Sequence, residues 1–185
     1  MPRYFRSDAI ASTLFASIAS ITLKPKAFFE ELDQTDSYRN STFFLLLLLA
    51  VPAFIDSYQI DSEHLAIMFP IMEGIGLLLA WLWAGYLYWC IRLFTDHELD
   101  HASAFQLAAY ASIPLLLDVS PILLVPAFLW QLYLIRHGLI LYAGIDRSSA
   151  NMMMIVPVVL LISLFIAAIM MLALMGLDVV TPYLQ

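Results

Sequence analysis

Charge is what this sequence has least of. Only 12% of its 185 residues are charged and 63% are hydrophobic, where soluble domains carry roughly 25% and about 45–50%. One globular core cannot hide that much apolar surface, so the natural solvent is a bilayer. Basic residues are scarcer than acidic ones, eight against fifteen, for a net charge of −7. That balance excludes nucleic acid as a partner. A single cysteine, Cys90, excludes an intrachain disulfide. No strand alternation, long linker, Ser/His/Asp order, phosphate loop or nucleotide fingerprint is visible, and no cofactor is expected.

What is present is a series of long apolar runs. A span needs about 20 apolar residues to cross about 30 Å of hydrocarbon. Five stretches qualify: 42–59, 66–93, 102–118, 121–142 and 151–176. The fold class expected is all-α, a polytopic membrane protein built as a five-span helical bundle. It divides into an N-terminal segment 1–41, a transmembrane domain 42–176 and an external tail 177–185.

Lys and Arg stay on the cytoplasmic side of a membrane. Arg3, Arg6, Lys24, Lys26 and Arg39 precede the first span, Arg92 ends the second, and Arg136 and Arg147 flank the end of the fourth. With five crossings and a cytoplasmic N-terminus, all eight fall on one side. The expected location is a cell inner membrane with the C-terminus periplasmic. Arg92 and Arg136 then mark the cytoplasmic interface, their heads reaching phosphates.

The N-terminal segment reads as an interfacial amphipathic helix. Ile10, Leu14, Ile18 and Ile21 share one side at helical spacing, with Ser and Thr opposite. Asp8 and the Ser/Thr content break the pattern of a secretory signal, so no cleavage is expected. Pro25 ends this helix. The following "KAFFEEL" starts a second, with Phe28, Phe29 and Leu32 on its apolar side. Gly76, Ala80 and Ala84, and again Ala104, Ala108 and Ser112, form small-residue stripes that let helices approach closely. They suit packing within the protomer, with a homo-oligomer as the other reading. Pro52, Pro70, Pro114, Pro126 and Pro157 are expected at depth, as helix kinks.

Two constellations invite a functional reading. Counting from the cytoplasmic ends of their spans, Glu73, Asp56 and Asp118 reach one depth near the outer face, with no basic residue there to neutralise them. Clustered carboxylates raise one another's pKa or attract a cation. The expectation is either an outward acidic site for a proton or cation, or three solvated carboxylates at loop ends. The second constellation is His97-Glu98-Leu99-Asp100-His101, which formally matches H-E-x-x-H. On a helix, His97 and His101 would grip zinc with Glu98 as general base. Asp100 puts a charge where such helices carry none. The expected structure here is a solvated hinge with a helix starting near residues 101–103, and no metal.

"AFQLAAYASIPLLL" (104–117), "DVSPILLVP" (118–126) and "LYLIRHGLILYAGI" (132–145) resemble the bacterial branch of the Yip-domain family, as does the Pro-plus-aromatic lead-in "LKPKAFFEEL" (23–32). The similarity covers about 160 residues from roughly position 22. It implies five spans, a cytoplasmic N-terminus and a non-enzymatic role in organising membrane proteins or lipids. Eukaryotic relatives bind Rab-type GTPases. This chain has no Asp-Leu-Tyr-Gly-Pro stretch, so GTPase binding is not expected. Tyr110 and Pro114 match the family's third-span pattern. Pro114 would kink that span, and Tyr110 would satisfy a freed carbonyl. A small transporter or channel using the acidic residues is the alternative from a different class, and a membrane metalloprotease a distant third.

Overall fold

The computed structural model describes residues 5–7, 9–32, 38–96, 98–117 and 122–180. These residues form helices and no strand among them. The chain divides into two units, Met1–Ala150 and Asn151–Gln185.

The first unit contains α1 (Ile10–Leu23), α2 (Pro25–Glu31), α3 (Tyr38–Ile60), α4 (Leu65–Phe94), α5 (His101–Ala111), a 3-10 helix (Ile113–Leu117) and α6 (Leu124–Leu141). The seventh helix, α7 (Arg147–Val180), starts at its end and forms the described part of the second unit. By length and apolarity α3, α4, α6 and residues 147–171 of α7 can each cross a membrane. The outward sides of α3 and α4 carry Val51, Phe54, Ile75, Leu79 and Leu82, all about half exposed. That is the surface expected where the surrounding medium is lipid.

The third apolar stretch departs from the continuous span expected over 102–118. Its α-helix is only 11 residues long, about 16 Å, and gives way to the 3-10 helix carrying Pro114. Proline has no N–H and clashes with the preceding turn, so the α-helix ends before it. The break is repaired locally. The Ser112 amide bonds Ala109 O at 3.2 Å, and the Ser112 hydroxyl donates to Ala108 O at 2.8 Å. Ser112 thus satisfies two carbonyls of the last α-helical turn. Irregular backbone is tolerated at membrane depth where protein surrounds it, and Ser112, Ile113 and Pro114 at the break are buried.

α5 is thus the centre of the first unit, packed on α3, α4 and α6. Ala80, Ala84, Leu87 and Ile91 are the buried side of α4, and Ala104 and Ala108 belong to the buried surface of α5. Both small-residue stripes therefore serve packing within the chain. A buried polar link ties the middle of α5 to the end of α6: the Tyr142 hydroxyl donates to Gln106 Oε1 at 2.6 Å.

The N-terminal helices are part of this core. Phe28 and Phe29 are 2% and 0% exposed. The Phe28 ring lies edge-on to Tyr110 at 5.2 Å, and Tyr110 also meets Phe44 at 4.7 Å. α1, however, is rotated from the side its apolar spacing suggests: Ile21 of that side is buried, Leu14 and Ile18 are half-buried and Ile10 is exposed. Thr13, Ser17 and Ile21 face inward, whereas Phe15 and Leu23 are 74% and 77% exposed. Thr13 explains the rotation. Its hydroxyl accepts from the Arg6 amide at 3.0 Å and donates to Ala9 O at 2.8 Å.

Pro52, Pro70 and Pro157 stand inside α3, α4 and α7. Pro126 instead occupies the first turn of α6, where its missing N–H costs no intrahelical bond.

Candidate functional site

The H-E-x-x-H reading fails on local structure. Glu98, Leu99 and Asp100 are not helical, and α5 begins at His101. Two histidines at i and i+4 share one face only where the three residues between them are helical. His97 itself lies outside the described residues. Asp100 is a helix cap, its side chain accepting from the Ser103 amide at 2.8 Å. The hydrogen bonds from Ser103 hold its carboxyl below the ordinary Asp range. Asp146 caps α7 in the same way through the amides of Ser148 and Ser149, both at 3.0 Å.

A lowered folded pKa means that stabilisation is present at neutral pH and is lost as pH falls through that pKa. Asp100→Ala should therefore cost about 1 kcal/mol at pH 7, the usual worth of an N-cap. Thermal melts of both proteins across an acid series check this. The gap between them should close as the carboxyl protonates.

His101 has another setting. Its ring lies 5.6 Å from Trp81, 6.0 Å from Tyr88 and 6.5 Å from Tyr38, so α3 and α4 both supply aromatics around it. Tyr38 also stacks on Phe105 at 4.5 Å. Arg92 adds a cation to the same group. Its Nη1 donates to the Tyr88 hydroxyl at 2.9 Å, and its guanidinium lies 5.5 Å from that ring's centre. Helical side chains lean toward the N-terminus, which brings the Arg92 head back one turn, to the level of Tyr88.

Adjoining this cluster is an outward-opening groove of about 310 Å³ between α3, α4 and α5. Tyr38, Thr42, Gly74, Leu78, Trp81 and Phe105 line it. The space beside Gly74 is open, since a Cβ placed there would meet nothing within 4 Å. Sequence reasoning missed both the groove and the His101 cluster. The signal was there in α4: Gly74, Leu78, Trp81, Tyr88 and Arg92 recur at intervals that keep them on one side of a helix.

Asp56 and Glu73 are half-buried on α3 and α4. Among the described residues neither forms a hydrogen bond or ion pair. A Cβ on Gly76 would lie 2.9 Å from Leu49 Cδ1, which fixes the α3–α4 register. From that level Asp56 lies two turns along and Glu73 less than one, an axial offset of about 6 Å. Asp118 lies outside the described residues. Arg136 is half-buried within α6, five residues before its end. Its neighbour His137 is buried, with Nδ1 2.9 Å from Tyr133 O.

The sequence model of one family, the Yip1 domain, matches residues 18–170. No curated protein and no solved structure gives a significant match.

Proposed function

Because the chain belongs to the Yip1-domain family, we propose that it is a non-enzymatic organiser of membrane proteins or lipids in a bacterial inner membrane. The observation that carries this reading is the filled interior around α5. Every residue from Ser103 to Ala111 is buried, and Tyr110, Phe28, Phe29 and Phe44 close the space that a conduit would need. Exposed apolar and aromatic side chains, Trp89 and Leu93 among them, leave the outside of α4 available to other transmembrane helices.

The topology that accompanies this function has five crossings, with the segment from His101 to Leu123 as the third. It puts the N-terminus in the cytoplasm and the C-terminus outside. Reporter fusions at the two ends should signal from opposite compartments; signals from one compartment would refute an odd number of crossings.

A photo-crosslinking residue at Trp89 or Leu93 should give discrete protein adducts in cells. One at buried Leu107 should give none. The second reading is a transporter. It is favoured by Asp56 and Glu73, two half-buried carboxylates without partners among the described residues. Reconstitution in dye-loaded liposomes separates the two. The organiser shows no saturable ion flux. Flux that disappears in Asp56→Asn or Glu73→Gln overturns the organiser in favour of transport.

A further inference from the structure

The groove and the His101 cluster form one continuous track along α4. Gly74, Leu78 and Trp81 cover about 10 Å of apolar wall, and Tyr88 follows about 10 Å further on. His101 bridges the two parts, its ring within 6.0 Å of both Trp81 and Tyr88. One end of the track is therefore apolar and open to lipid. The other end presents an imidazole, a phenol and a guanidinium.

The guanidinium at that end makes no ion pair among the described residues. Arg92 bonds a neutral phenol, and among the described residues it has no carboxylate partner. Asp100 caps α5 through the Ser103 amide and is also within electrostatic reach of His101, which leaves Arg92 as the cation that faces the track. A cation on a tyrosine at the end of an apolar channel suits a ligand with an anionic head and a hydrocarbon tail. The groove's volume of about 310 Å³ is at the small end of the range for ligand sites, room for part of one acyl chain lying against Trp81 and Phe105.

We propose that this track binds one phospholipid with a net negative headgroup. An acyl chain occupies the groove from Gly74 to Trp81, and the phosphate lies against Arg92, Tyr88 and His101. Anionic rather than zwitterionic lipid is favoured because a headgroup amine would face the Arg92 guanidinium. This goes beyond the organiser reading and stands or falls separately from it, since it concerns one lipid site rather than protein neighbours or flux.

The test uses the full chain in nanodiscs, with Trp83, Trp89 and Trp130 replaced by Phe so that Trp81 alone reports. Brominated acyl chains quench tryptophan on contact. Brominated phosphatidylglycerol should reach half-maximal quenching at a mole fraction several-fold below that of brominated phosphatidylcholine. Arg92→Gln should remove the difference between headgroups and leave quenching itself in place. Gly74→Leu, which fills open space, should weaken quenching by both lipids. Native mass spectrometry of the unaltered chain provides a second readout that needs no tryptophan replacement. Phosphatidylglycerol adducts should survive activation that strips phosphatidylcholine. Equal response to the two headgroups in the protein with Arg92 intact, by either method, overturns the proposal. So does unchanged quenching in Gly74→Leu.

Discussion

Tyr110→Ala should lower stability by roughly 3 kcal/mol, as measured by reversible unfolding in mixed micelles, the range for removing a buried aromatic from a packed core. Tyr110 is among the largest fully buried side chains. Its ring is held between Phe28 of α2 and Phe44 of α3, at 5.2 and 4.7 Å. Three elements from distant parts of the sequence thus meet on one side chain. In a bilayer the transfer of apolar surface from water contributes little to helix association, so the loss comes from packing contacts that no neighbour can replace. Leu129→Ala is the control. Leu129 is 52% exposed, and its truncation should change the midpoint little. A Tyr110→Ala protein as stable as the unaltered chain would show that α2 is not docked on α5.

Gly138→Ala should cost about 1–3 kcal/mol, the range for an added methyl in a filled core. A Cβ at this position would run into Leu107 Cδ1 and lie 3.2 Å from Phe29 Cε1. Both neighbours are 0% exposed, so neither has space to withdraw. Gly74→Ala makes the opposite prediction. Its Cβ meets nothing within 4 Å, and alanine is the better helix former by about 1 kcal/mol. The two substitutions add the same methyl to helical glycines. Melting curves should move in opposite directions, or at least differ by more than 1 kcal/mol.

Run length and apolarity carried most of the architecture. The stretches 42–59, 66–93 and 121–142 lie within a few residues of α3, α4 and α6, because an apolar run long enough to cross lipid has few other stable conformations. The broken third segment was harder to read. Pro114 signals a bend, but whether a continuous kinked helix or an α-helix followed by a 3-10 turn results depends on Ser112 finding Ala108 O, which is decided by surrounding protein. The side of α1 that faces inward was misleading for a related reason. Apolar spacing marks the buried side when water lies outside, and α1 instead buries Thr13 and Ser17 beside Ile21. The cap at Asp100 was readable as a helix start after a hinge. The His101 cluster was not, since Tyr38, Trp81 and Tyr88 reach it only through tertiary packing of α3 and α4 on α5.

An 11-residue helix that must be sheathed on all sides also dictates the order of assembly. Alone in hydrocarbon, α5 would leave its final carbonyls and the turn at Pro114 facing acyl chains, so it is not an independent insertion unit. The cover of α5 comes from α3, α4 and α6. A nascent chain halted before α6 emerges should therefore hold α5 outside the bilayer.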